Sequence, residues 1–276
     1  MKLALNGATT MKADLRTDML AAQAAGFDGV EIWAAKLRNY LTNEAGSVAD
    51  LRRLFQAASV EALSINSIEH ITFRSETDYA NIKKECEELT SIAAALECPY
   101  VVVVPGKLPA TIPTRAEVVA ESVRVLSELG AIAEKHGVSL AFEFLGQTDC
   151  SVQTLDLARE IVGCVARPNV GLVIDSFHFY AGGSTIEMID NLDPERLFIF
   201  HINDAEDLPR EQLQDSHRLL PGLGILPLPE ILKAFRRIGY DRVASVEIFR
   251  PEYWERDPFE LARDAKRALE TVLGEP

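Results

Sequence analysis

Residues 169–180 read Asn-Val-Gly-Leu-Val-Ile-Asp-Ser-Phe-His-Phe-Tyr, and the architecture of the chain turns on how this stretch folds. Residues 170–174 form an apolar, β-branched run with the length and bounding residues of a strand buried on both faces. The run ends on an acid. In a parallel α/β sheet the residues just past a strand's carboxyl end face the crevice where ligands bind, which would present Asp175 and His178 there. Taken alone, Asp175 reads equally well as a helix N-cap or turn former. The rest of the chain decides between the two.

Working outward, strand and helix patterns alternate. Upstream, strands are expected at residues 2–6, 29–33, 61–66, 100–104 and 138–144, interleaved with helical patterns at 14–25, 50–58, 78–96, 114–136 and 153–165. Downstream, helix 185–192 leads to strand 197–202, helix 228–238 to strand 243–248, and a last helix spans 258–273. Gly26 and Gly137 stand where helices should stop. Eight strand–helix units in strict alternation demand parallel strands joined by helical crossovers, and within 276 residues they favour an α/β fold of one closed (β/α)8 TIM barrel, a single domain over residues 1–276, rather than an open doubly wound sheet. An internal echo agrees with this: Gly26-Phe27-Asp28 precedes one strand, and Gly239-Tyr240-Asp241 another. There is no Gly-x-Gly-x-x-Gly, phosphate loop or low-complexity linker. The longest stretch without a regular pattern, residues 203–227, follows strand seven, and loops of that length are usually functional.

Composition narrows the partners. The chain is 47% apolar and 25% charged, as ordinary globular proteins are, and carries a formal net charge of −14 with a pI near 4.9. Such a field repels phosphate backbones and anionic bilayers over about 8 Å at physiological salt, and no basic run offsets it, so neither nucleic acid nor membrane is expected as a partner. The apolar part of Met1-Lys2-Leu3-Ala4-Leu5-Asn6 is too short for a signal peptide, and no stretch approaches a membrane span. The expectation is a cytoplasmic protein, with homo-oligomerisation left open. Cys86, Cys98, Cys150 and Cys164 show no Cys-x-x-Cys spacing and read as reduced, buried thiols.

The chemistry-bearing residues stand at the ends of the last four strands: Glu143 in Leu-Ala-Phe-Glu-Phe, Asp175 in Leu-Val-Ile-Asp, His201 in Phe-Ile-Phe-His and Glu247 in Ala-Ser-Val-Glu-Ile. In a barrel these strand ends are neighbours on one rim, so three carboxylates and an imidazole would converge. Unpaired buried charges cost several kcal/mol each, and a divalent cation at the centre is the natural compensation. Oxygen-rich ligation with one imidazole suits a single divalent ion, Mn²⁺ or Zn²⁺ foremost, with Mg²⁺ and Co²⁺ also admissible. Two cis oxygens of a hydroxyketone would complete the shell, and polarising that carbonyl acidifies the neighbouring C–H. Glu143 and Glu247 are the candidates to remove and return the proton. His178 is placed to contact a substrate oxygen, and Arg218, just before Pro221-Gly222-Leu223-Gly224, to clamp it from the other side. Trp33, Asn66 and Arg250 follow strands on the same rim and are expected to line the substrate site. His70 and His217 sit in loops without a paired ligand, and His136 sits at a helix end as a dipole-compensating surface residue.

The four strand-end residues, with Asp175-Ser176-Phe177-His178, His201-Ile202-Asn203-Asp204 and the run from Arg218 to Gly224, resemble the xylose-isomerase-like barrel family of sugar isomerases and epimerases, over essentially the whole chain. The resemblance implies that Glu143, Asp175, His201 and Glu247 hold one metal, that His178 and Arg218 bind substrate oxygens, and that the two glutamates exchange protons. Asn6-Gly7-Ala8-Thr9-Thr10 and the run from Ser245 to Tyr253 resemble the inosose isomerase branch of that family, although Gly7 stands where a glutamate is expected. That branch implies a small polyol substrate: isomerisation of 2-keto-myo-inositol to 1-keto-D-chiro-inositol through a cis-enediolate. The same quartet would also serve a ketose 3-epimerase, a hydroxyketone isomerase, or a dehydratase of inosose or 3-dehydroshikimate. An endonuclease of this fold would need a cluster of metals held by more histidines than the five here.

Overall fold

The computed structural model describes residues 1–44 and 46–274. Its strands β1 (Lys2–Asn6), β2 (Gly29–Trp33), β3 (Glu61–Ile68), β4 (Tyr100–Val103), β5 (Ser139–Glu143), β6 (Val170–Asp175), β7 (Leu197–Ile202) and β8 (Val243–Val246) close into a barrel in the circular order β1-β8-β7-β6-β5-β4-β3-β2. Every pairing in it is parallel. Closure accounts for the apolar character of both strand faces. Ala4, Leu63, Val102, Ala141, Val173 and Ile199 pack together in one buried cluster. Their sequence neighbours Leu5, Ala62, Val103, Phe142, Ile174 and Phe200 belong to a second, larger one.

The outer helices are α1 (Leu15–Ala25), α2 (Ala34–Thr42), α3 (Val48–Ala58), α4 (Glu76–Ala95), α5 (Arg115–Glu134), α6 (Leu155–Val165), α7 (Ser176–Ala181), α8 (Ile186–Ile189), α9 (Leu228–Ile238), α10 (Pro251–Trp254) and α11 (Pro258–Leu273). Their ends follow local chemistry. Asp14 caps α1 by accepting from the Thr17 amide, and Thr114 and Glu117 cap α5 reciprocally. The internal echo has a conformational cause: Gly26 (φ 79°) and Gly239 (φ 80°) end α1 and α9 in the left-handed region before β2 and β8.

Four departures from the sequence pattern concern the ligand-facing rim. α2, α7 and α10 start at or within a few residues of the ends of β2, β6 and β8; no Gly or Pro announces α2 or α7, and α10 opens on Pro251. Residues 185–192 contract to the single turn α8. Residues 203–227 are not irregular: the two-residue strands Asp204–Ala205 and Arg218–Leu219 pair antiparallel, with short 3₁₀ turns between them. β8 stops at Val246, which leaves Glu247 as the first residue beyond it. Cys86, Cys98 and Cys150 are buried, but Cys164 is exposed. It lies opposite the buried stripe Leu155, Ala158, Ile161, Val162 and Val165 of α6. No helix among the described residues is long and apolar enough to cross a membrane.

Candidate metal centre and active site

Adjacent strands deliver the four predicted side chains to one point. Glu143 ends β5, Asp175 ends β6 opposite His201 on β7, and Glu247 follows β8. One donor atom from each lies within 4.8 Å of the others, and all four residues are buried. The His201 Nδ1 atom is 3.0 Å from Glu143 Oε1 and 3.3 Å from Glu247 Oε2. Asp175 also serves as the N-cap of α7, its Oδ1 accepting from the His178 amide at 2.8 Å. Cap and candidate ligand are one residue.

Each carboxylate is held by donors. Asn203 Nδ2 donates to Asp175 Oδ2 at 2.8 Å and to the Glu247 carbonyl at 3.1 Å, tying β6 to β8. Glu247 Oε1 accepts from Asn6 (3.1 Å) and Asn66 (2.7 Å). Arg218 Nη1 donates to Asp175 Oδ2 (2.8 Å) and Glu247 Oε2 (3.0 Å), and Nη2 donates to Asp215 Oδ1 (2.8 Å) and His178 Nε2 (3.0 Å). Because arginine only donates, His178 Nε2 must accept, so the proton of the neutral ring sits on Nδ1.

The loop after β7 is what carries Arg218 inward. Asp204 accepts from the Gly222 and Leu226 amides, and Gly224 lies so close to the Ala205 carbonyl that a Cβ there would stand 2.0 Å from its oxygen. These bonds give the His-Ile-Asn-Asp and Pro-Gly-Leu-Gly motifs their physical meaning. The resulting guanidinium is 1% exposed and stacked between the rings of Phe177 and Phe249.

The electrostatics are those of a site short of positive charge. Glu31, Glu143, Asp175 and Glu247, all buried, face one guanidinium and one imidazole, a negative excess even with His201 protonated. Burial, reinforced by Glu247 and Asp175, pushes Glu143 up to about 8 despite the opposing His201. For Glu247 burial is outweighed by His201 and Arg218, and its value falls. His201 is raised well above the usual imidazole range, because Glu247, Glu31 and Glu143 overcome its burial. Burial pushes His178 down, with Asp175 opposing and Arg218 assisting. Three carboxylates and an imidazole that converge, buried and with surplus negative charge, suit one divalent cation.

Glu143 and Glu247 open onto a cavity of about 240 Å³, also lined by Trp33, Asn66, His178 and Arg218. That is below the roughly 300–1,000 Å³ of sites for drug-sized ligands and suits a small polar molecule. Trp33 meets Phe249 edge-on at 5.5 Å to form an apolar wall. Arg250 is not among the residues that line the cavity: it stands just before α10, pairs with Glu206 at 2.7 Å and lies over the Tyr253 ring, because the backbone turns into α10 at that residue. His70, which the sequence leaves without a role, lines the cavity beside Glu69, as do Gln147 and Asp215. His217 accepts from the Gln214 amide, and His136 pairs with Glu87 at 2.8 Å. A side chain at Gly7 would be tightly placed, since a Cβ would lie 3.0 Å from Trp33 Cβ and 3.1 Å from Asp18 Oδ2. The sequence motifs contain Asn6 and Asn203 but give them no role of their own, and they leave out Glu31. The available signal was a polar residue inside an apolar strand for Glu31, and at or just past a strand's carboxyl end for Asn6 and Asn203.

The fold and this site define a class. The chain belongs to the xylose isomerase-like TIM barrel family, whose model matches residues 19–272. Within it, the chain is 39% identical to the inosose isomerase of Bacillus velezensis over 275 residues, covering 99% of this chain and 97% of that protein. It is likewise 39% identical to the inosose isomerase of Bacillus subtilis, covering 99% and 98%. Among solved structures, IOLI protein with a binding zinc atom superposes with a TM-score of 0.95 at 39% identity, over 99% of this chain and 98% of that one.

Proposed function

We propose that this protein is a metal-dependent isomerase that moves a carbonyl between adjacent carbons of a cyclic polyol ketone, converting 2-keto-myo-inositol to 1-keto-D-chiro-inositol through a cis-enediolate. One observation carries the chemistry: Glu143 and Glu247 belong to a converging quartet and both face the cavity. The full-length identity to two inosose isomerases supports the choice of substrate. A divalent ion held by Glu143, Asp175, His201 and Glu247 would supply Lewis-acid polarisation of a hydroxyketone.

The chain's own residues account for the proton transfers. Glu247, with Asn6, Asn66 and Arg218 donating to it, is stabilised as a carboxylate and takes the proton from the carbon next to the carbonyl. Glu143, which faces the cavity from the other side of the quartet, returns a proton to the adjacent carbon. Arg218 and His178 bind substrate oxygens and stabilise the charge that develops on them. Trp33 and Asn66 shape the wall and keep the ring facing the two glutamates.

The test is incubation of the Mn²⁺- or Zn²⁺-loaded protein with scyllo-inosose in D₂O, beside a panel of ketoses and 3-dehydroshikimate. The expected result is a second inosose carrying carbon-bound deuterium. No new inosose and no deuterium would overturn the proposal. Turnover confined to ketoses would assign the site to a 3-epimerase, and a conjugated carbonyl absorbing in the ultraviolet to a dehydratase.

A further inference from the structure

Glu31 lies in the middle of β2, fully buried inside the barrel, where an apolar residue would pack without the cost of desolvating a charge. Its side chain makes one hydrogen bond among the described residues: Oε1 lies 3.1 Å from His201 Nε2, while Oε2 has no partner. β2 and β7 are separated in the barrel by β1 and β8, so the contact crosses the interior instead of running along the rim. The other ring nitrogen of His201, Nδ1, is the one turned toward Glu143 and Glu247. The imidazole is thus strung between a carboxylate below and the carboxylate cluster above.

We infer that Glu31 is a positioning residue for the metal centre: by accepting a hydrogen bond from Nε2–H of His201 it fixes the ring proton on that nitrogen and leaves Nδ1 free to bind the ion. The inference rests on the metal-site reading above. A nitrogen that binds a metal gives up its proton, so the single remaining ring proton must sit on Nε2, and Nε2 faces Glu31 at 3.1 Å. The bond sets the orientation of the ring and, through the carboxylate's charge, makes Nδ1 a stronger donor. An apolar side chain at 31 could fill the same space and do neither.

The test uses Zn²⁺-loaded full-length protein labelled with ¹⁵N-histidine, in which two-bond ¹H–¹⁵N correlations distinguish Nδ1 from Nε2. Zinc affinity is measured alongside by competition with a chelator. The wild type should show His201 protonated at Nε2 with slow solvent exchange. E31A should lose about 10- to 100-fold in zinc affinity and exchange that proton rapidly. E31Q, whose amide carbonyl still accepts, should keep the Nε2 tautomer and lose less affinity; should E31A fail to fold, E31Q decides by its tautomer and exchange rate. The inference is overturned if the wild type carries the proton on Nδ1, or if both variants match the wild type in zinc affinity and exchange. A wild type that binds no zinc would remove the metal-site reading itself, a result distinct from either.

Discussion

Two buried charge clusters stand at the ligand-facing end of the barrel, and they are balanced in opposite ways. In the first, Asp18 on α1 meets Lys36 on α2 at 2.7 Å. The ammonium also donates to the Thr10 carbonyl at 2.9 Å, and the Thr10 hydroxyl lies 2.7 Å from Asp18 Oδ1. One anion meets one cation, and every donor of the ammonium is used. In the second, Glu31, Glu143, Asp175 and Glu247 outnumber Arg218 and His201. Both clusters bear the cost of burial: Asp18 is raised to about 7 by desolvation despite Lys36, and Glu143 to about 8. The difference lies in what each still needs. The Asp18–Lys36 pair is complete and reads as a strut between the first two strand–helix units, whereas the cluster of Glu31, Glu143, Asp175 and Glu247 is suited to completion by a cation from outside.

That contrast can be broken from either side. The largest effect is expected in the unbalanced cluster, where E247Q removes the proposed base and should lower kcat on scyllo-inosose by about 10²–10⁴-fold, while circular dichroism shows the fold unchanged. Activity within a few-fold of wild type would remove Glu247 from the proton transfer. In the balanced cluster, K36M leaves Asp18 as an unpaired buried charge and should cost about 3–5 kcal/mol in urea unfolding, with zinc affinity unchanged. A K36M protein as stable as wild type would show that the pair contributes nothing as a strut.

A smaller effect distinguishes the clusters by pH. In chelator-treated protein Glu143 binds a proton more tightly than its ordinary value of 4.5 allows. Between that value and about 8 the folded state therefore holds a proton that the unfolded chain has lost, and stability falls as pH rises through the window. Asp18 acts in the same direction between 3.8 and about 7. Metal competes with the proton on Glu143 and not with that on Asp18. Saturating zinc should thus flatten the decline in melting temperature between pH 6 and 8 without abolishing it below pH 6. An identical slope with and without zinc would place the ion elsewhere.

The same contrast explains what could be read from the chain. Glu143, Asp175, His201 and Glu247 each close an apolar strand run, so one-dimensional pattern places them at equivalent heights on neighbouring strands, and the barrel brings them together. The alternation of strands and long helices was legible because gains from burial and capping are local. Glu31 and Asn203 were not, since their meaning lies in partners 170 and 28 positions away. Arg250 was misplaced for the converse reason: a rim position suggested a cavity contact, but the turn into α10 directs its guanidinium to Glu206. The rim helices α2 and α7 escaped notice because they start without a Gly or Pro break from the strand pattern, and α10, which opens on Pro251, because it is only one turn long.

The account stands on the unbalanced cluster being a site for one ion, and calorimetric titration of chelator-treated protein with Zn²⁺ tests this most directly. One ion per chain, with release of protons from His201 and Glu143 and loss of the binding isotherm in D175A, is the predicted result. No heat above dilution in the wild type, or an unchanged isotherm in D175A, would contradict it.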